Sequence, residues 1–273
     1  MRTVETQLNT LWIGPKLSSI HLACLLSAVR AGHKVRLFCY SPPENLPAEI
    51  EIADAEEVLP QTEIMRHRDS GSPSLSSNRF RYLLFEKELG PWIDTDVFVL
   101  KPLTSRDGYM MAWQDDELIG SAVLQLPPGK LTDFLCDFTA QSHPIPFWYP
   151  PLHRRWLQVR SAAGFPVAAG DYRWGIYGPH LLTNSVRRHN LEPNAQPPSV
   201  YYPVGWRDAA NLYASESNVF DTLPETTEAV HMWHHMGTGT DDGTSAIQPG
   251  SFMDQAFRMV DMAPPELSEM AGD

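Results

Sequence analysis

The stretch from Ser76 to Leu103, SSNRFRYLLFEKELGPWIDTDVFVLKPL, limits this 273-residue chain more than any other. Ser76-Ser77-Asn78 is a polar turn suited to capping a helix. The helical run that follows has Phe80, Leu83, Leu84 and Leu89 as its apolar set. Arg79, Arg81, Glu86, Lys87 and Glu88 are its polar set. Gly90-Pro91 ends the helix. A short apolar strand, Trp92-Ile93, then delivers Asp94 and Asp96, and the apolar run Val97 to Leu100 follows at once. Side chains alternate along a strand, so the two aspartates are predicted on one side of it. Two carboxylates inside an apolar segment are costly to bury unless a cation sits between them. Hard oxygen ligands suit Mn²⁺ or Mg²⁺.

The chain before this stretch reads as a strand over Leu8 to Gly14, a helix over Ile20 to Ala31 capped by Ser18-Ser19, and a strand over Lys34 to Tyr40. That is the outline of a βαβ unit with parallel strands. A third strand is predicted around Glu57-Val58-Leu59. Beyond the aspartates, strands are predicted at Tyr109 to Trp113, Gly120 to Gln125, Val200 to Tyr202 and Ala229 to Trp233. Helices are predicted at Thr132 to Ala140, Arg154 to Ala163 and Pro179 to Arg188. The expectation is one α/β domain over residues 1–273, with a mixed, mostly parallel sheet flanked by helices. Its N-terminal half covers about 1–125 and its C-terminal half about 126–260, with a frayed tail after that.

The formal net charge of -12 argues against a nucleic-acid partner, although Arg154-Arg155 and Arg187-Arg188 are candidate local basic patches. Three cysteines without a C-x-x-C pair fit buried thiols in a reducing compartment. No apolar run approaches the length of a membrane span. Together these predict a soluble, cytoplasmic protein.

Other chemistries built on two spaced aspartates fit poorly. An EF-hand loop would need an oxygen ligand at Phe98 and glycine at Val99. A dehalogenase-type phosphatase would carry its aspartates at the tip of the first strand.

The run Ser77-Asn78-Arg79-Phe80-Arg81-Tyr82, followed by Leu89-Gly90 and Trp92-Ile93-Asp94-Thr95-Asp96-Val97, resembles the DXD sugar-binding region of a glycosyltransferase family. That family is typified by yeast initiation mannosyltransferase, capsule and toxin enzymes and α-1,4-galactosyltransferases. Leu11-Trp12-Ile13-Gly14, Gly178-Pro179 with Leu182-Thr183, and Ala229-Val230-His231-Met232-Trp233 are similar to three further segments of it. The resemblance implies a GT-A-like fold, a divalent metal and retention of configuration. It implies transfer of a hexose from a nucleotide-sugar donor, with UDP-sugar favoured, to a glycan, capsule or glycolipid acceptor.

Carried over by position, Asp96 would hold the metal. Asp94, counted with the metal residues, would contact the ribose or the metal-bound water and the donor sugar. His231 would be a further metal or diphosphate ligand, and Arg81 would reach the donor sugar or phosphate. Trp12 and Ile13 would border the base, with Asn78 and Ser121 also in the donor site. Asn78 stands where the family has aspartate, and Ser121 where asparagine is frequent. These departures leave a second expectation, a degenerate domain that binds nucleotide sugar or glycan without turnover. His234 and His235 read as surface or loop imidazoles. On an extended strand, His235 would share the His231 side while His234 points away. Asp115, Asp116, Asp171, Asp241 and Asp242 are the nucleophile candidates, none favoured. Phe147, Trp148, Tyr149, Trp156, Trp174 and Trp206 are candidates for sugar stacking or for an irregular core.

Overall fold

Four successive strand-forming segments set the architecture of the computed structural model, which describes residues 6–234 and 247–264. Strand β1 (Gln7–Trp12) runs parallel to β2 (Lys34–Cys39), and β2 runs parallel to β3 (Ile50–Asp54). On its other side β1 pairs in parallel with β4 (Trp92–Ile93), which pairs antiparallel with β6 (Val123–Leu124). The result is a mixed, mostly parallel sheet of order β3-β2-β1-β4-β6. A separate antiparallel ribbon joins β5 (Val97–Val99) to β7 (Ala229–His231).

Alternation along the strands divides the core. Leu8, Val35, Leu37, Ile93 and Val123 belong to one apolar cluster, with helix α1 (Ser19–Arg30), the ribbon and α7 (Phe252–Met259). Leu11, Phe38, Trp92 and Leu124 belong to the other. That second cluster takes in α2 (Ser74–Glu86), α3 (Lys130–Thr139) and α5 (Pro179–Arg188). Helices therefore cover both faces, as burial of a mostly parallel sheet requires. Helix α4 (Pro151–Ala162) lies outside this packing, with Leu157 as its one buried residue. The short α6 (Val219–Thr222) precedes β7.

Gly90 explains how β4 enters the sheet. It has φ +105, and a Cβ there would lie 3.2 Å from the Gln7 carbonyl oxygen. Asn9 completes the junction, donating through Nδ2 to the carbonyls of Leu89 (2.9 Å) and Pro91 (3.1 Å).

The fold corrects several sequence expectations. Helix α2 starts at Ser74, not after Asn78. The serines expected to cap it lie inside its first turns and are used elsewhere. Ser76 Oγ accepts from the Met65 amide at 2.6 Å and donates to the Met65 carbonyl at 3.0 Å. Arg81, assigned to the polar face, is buried. The third strand falls at Ile50–Asp54, ahead of Glu57 to Leu59. The Asp54 carboxylate accepts from the Glu56 amide and turns the chain into a 3-10 segment there. Tyr109 to Trp113 makes isolated bridges without becoming a full strand. Val200 to Tyr202 forms no strand: Val200 ends the 3-10 segment Pro198–Val200, which starts at a proline, and Tyr201 is a turn. Asp94-Thr95-Asp96 is likewise a turn between β4 and β5 and not part of a strand.

Helix α5 matches its predicted span residue for residue. Cys24, Cys39 and Cys136 are free, buried thiols. Among the described residues no helix is long and apolar enough to cross a membrane.

Candidate metal centre

The sheet order reverses at β1 and β4. The chain leaves β1 toward β2 on one side, while β4 lies on the other. In open α/β sheets such a switch point opens a crevice beyond the carboxyl ends of the strands, where ligands bind. Here those ends carry Trp12-Ile13 on β1 and the Asp94-Thr95-Asp96 turn on β4.

The turn replaces strand alternation with convergence. Its closing bond runs from the Val97 amide to the Asp94 carbonyl, at 3.2 Å. The β5–β7 ribbon then sets Val97 against His231. One ligand atom from each of Asp94, Asp96 and His231 lies within 4.8 Å of the other two. Ligand atoms this close could be drawn together onto one divalent ion.

Asp94 is held from behind. Its Oδ1 accepts from Arg81 Nη2 at 2.9 Å and from Trp92 Nε1 at 2.6 Å. Arg81 is 3% exposed and stacks 4.8 Å over the Trp92 ring. It also donates to the Ser121 carbonyl oxygen, to the Ser77 carbonyl (3.4 Å) and to Ser77 Oγ (3.3 Å). Burial raises the Asp94 carboxyl and the nearby Asp96 adds to the rise. Arg81, His231 and the Trp92 indole pull it back without cancelling it.

Asp96 has softer company. Its Oδ1 stands 3.3 Å from His231 Nε2, and its Oδ2 accepts from the His234 amide at 3.2 Å. Burial pushes this carboxyl up, but the His231 imidazole, His21 and the His234 amide outweigh burial. They hold it well below the usual carboxylate range. Within this network Arg81 serves Asp94, while imidazoles and a backbone amide serve Asp96.

His231 presents Nε2 to the carboxylates and packs its ring 4.1 Å from Trp233 and edge-on to Tyr202. Its buried Nδ1 has no hydrogen-bond partner. Tyr202 is fixed in turn, its hydroxyl oxygen accepting from the amides of Ala122 (3.1 Å) and Val123 (3.3 Å). Gly120 is required beside it, because a Cβ there would meet the phenol ring at 2.3 Å. After β7 the chain wraps the Asp96 turn. The Met232 amide donates to the Asp96 carbonyl at 2.9 Å, and Trp233 adopts φ +49. A left-handed backbone is unusual for so bulky a residue.

The other predicted site residues are placed as follows. Trp12 is partly buried at the end of β1, 4.8 Å from the His21 ring, with Nε1 buried and lacking a hydrogen-bond partner. Ile13 is also partly buried and packs on the second core cluster. Ser121 contributes its carbonyl to Arg81. Asn78 is buried, donating through Nδ2 to the Ser74 carbonyl at 2.7 Å, while its Oδ1 has no partner. Its amide lies against Gly178, where a Cβ would come within 2.9 Å of Oδ1. This contact joins two segments singled out in the sequence.

His234 overturns its expectation. It is 1% exposed, its ring lies 4.8 Å from that of His21, and its amide serves Asp96. The strand ends at His231, so alternation no longer applies to the residues after it. His235, Asp241 and Asp242 lie outside the described residues. Among the other nucleophile candidates, Asp115 accepts from the amides of Glu117 and Leu118, and Asp171 pairs with Arg68 at 2.8 Å. Phe147 and Trp148 pack on the core, and Trp206 does so on the opposite cluster. Trp156 and Trp174 are exposed.

Sequence reasoning missed His21, Tyr202 and the indole of Trp92 as site residues. Trp92 carried a signal, standing two positions before Asp94. His21 and Tyr202 carried none.

Two carboxylates, an imidazole and a fixed guanidinium at a strand switch can bind a divalent cation and, through it, an anionic ligand. Neither a family model nor a curated protein matches this chain.

Proposed function

We propose that the protein is a metal-dependent, retaining glycosyltransferase of GT-A-like fold. It moves a hexose from a nucleotide-sugar donor, with UDP-sugar favoured, to a glycan or glycolipid acceptor. The observation that carries this reading is the convergence of Asp94, Asp96 and His231 within 4.8 Å at the strand switch. Mixed oxygen and imidazole ligation favours Mn²⁺ over Mg²⁺. His231 Nε2, 3.3 Å from Asp96 Oδ1, fits an ion held by Asp96 and His231, with Asp94 alongside. The buried free thiols support a cytoplasmic setting.

When bound, the ion supplies Lewis-acid neutralisation of a departing diphosphate. The chain's own residues do the rest. Arg81 and Trp92 keep Asp94 oriented toward the donor. Trp12 and Ile13 border the base at the end of β1. The bond from the sugar anomeric carbon to the phosphate oxygen breaks as the acceptor oxygen bonds that carbon. The acceptor proton passes to the leaving phosphate. Of the nucleophile candidates, Asp115 and Asp171 are engaged in other contacts.

A second reading, binding without turnover, draws on Asn78. The Asn78 amide is turned to Ser74 and Gly178, so a donor contact expected there is weakened. One assay separates the two readings. The chain is incubated with Mn²⁺ and each of UDP-glucose, UDP-galactose, UDP-N-acetylglucosamine and GDP-mannose. Metal-dependent release of UDP or GDP that stops on chelation is expected. Thermal stabilisation by a donor with no turnover would establish the binding-only reading.

A further inference from the structure

We infer that α4 (Pro151–Ala162) is a docking helix that lays this protein onto an anionic membrane surface. Leu152 is 84% exposed, Trp156 53% and Val159 62%. At about 100° per residue these three lie in a sector of roughly 60° on the helix. Leu157, the one buried residue of α4, lies on the opposite side and ties the helix to the protein. The apolar strip therefore faces outward.

Arginines border the strip on both sides, with Arg155 on one flank and Arg160 on the other. Arg154 lies on the far side of the helix, nearer Leu157, and is partly buried. The helix contains no acidic residue, although the chain as a whole has a net charge of -12. Phe165, 69% exposed, extends the apolar surface past the helix end. It is locked there: Gly164 takes φ +87, the Phe165 amide donates to the Arg160 carbonyl at 3.0 Å, and Arg160 Nε donates to the Phe165 carbonyl at 2.8 Å.

A cationic helix with an outward Leu-Trp-Val strip is the composition that lies in the plane of a bilayer interface. Its aromatic and aliphatic groups enter the acyl boundary and its arginines meet lipid phosphates. The partner is flat. The hollow along this face is lined by α4 residues alone, so no opposing wall exists to clasp a peptide. The second arginine pair of the sequence contrasts with it. Arg187 and Arg188 lie over the rings of Trp113, Phe134 and Phe147 and belong to the fold.

The test is co-sedimentation with vesicles of phosphatidylcholine alone and of phosphatidylcholine containing about one third phosphatidylserine. The wild-type chain is expected to pellet with the mixed vesicles and to bind the neutral ones roughly 30-fold more weakly, from the two flanking arginines at an anionic surface. High salt reduces the difference. Leu152→Glu/Val159→Glu is expected to lose binding at least about tenfold with an unchanged melting temperature, since both positions are exposed. Asp96→Ala is expected to bind as the wild type does, which separates this inference from the transferase reading. Failure of the wild type to pellet with the mixed vesicles overturns the inference. So does equal binding by the double variant. Wild-type self-association abolished by that variant also overturns it, because a second copy would then be what covers the strip.

Discussion

Asp94 and Asp96 are two residues apart, yet they occupy opposite kinds of surroundings. Asp94 is held by permanent donors, a buried guanidinium and an indole N–H. Asp96 faces the β5–β7 ribbon and is held by an imidazole and a backbone amide. Arg81 cannot lose its proton at any ordinary pH, so Asp94 is fixed whether or not a ligand is present. His231 Nε2 can instead serve as a ligand, and Asp96 with it offers a place for a cation. One carboxylate holds the geometry of the site and its neighbour supplies the charge. Three substitutions test that division, from the largest expected effect to the smallest.

Arg81→Met leaves Asp94 buried without a cation. Removing one partner of a buried pair costs about 3–5 kcal/mol. Urea denaturation measures this, and Arg81→Lys is expected to recover part of it. A loss under about 1 kcal/mol, the range of exposed pairs, would mean Asp94 does not depend on its guanidinium. Asp96→Ala is expected to leave the fold intact and weaken Mn²⁺ binding by about 100-fold or more, since even outer-shell changes at metal sites cost roughly 10–100-fold. Isothermal calorimetry with Mn²⁺ alone decides it; unchanged affinity removes Asp96 from the metal site. Trp92→Phe deletes the indole bond to Asp94 and leaves a small void, costing about 1–3 kcal/mol. Mn²⁺ affinity should fall less than for Asp96→Ala. If it falls as far, the two corners are not separate.

Much of the fold was legible because its signals are local. The βαβ start follows from apolar spacing and the Ser18 cap, and α5 follows from Gly178-Pro179 at its start. What misled was local as well. Ser76, Ser77 and Asn78 read as a cap, yet Ser76 bonds Met65, and Ser77 bonds Arg81 inside the helix. A side chain's preference for a cap is weaker than a tertiary partner that satisfies it. Periodicity put Arg81 in the helix's polar set, because a helical period cannot register a carboxylate thirteen residues on. His234 read as a loop residue because nothing near it in sequence shows that the chain curls around Asp96.

The sequence by itself determined that two carboxylates would be carried between apolar segments, and that strands and helices would alternate around them. Both are properties of short windows, set by side-chain size, polarity and spacing. The tertiary structure alone decided which groups face those carboxylates. It brought His231 from 135 positions beyond Asp96, through the Val97–His231 pair. It turned the DTD segment out of strand geometry, and it set the site at the reversal between β1 and β4. Pairings over such distances depend on packing of the whole chain, and a short window carries no record of them.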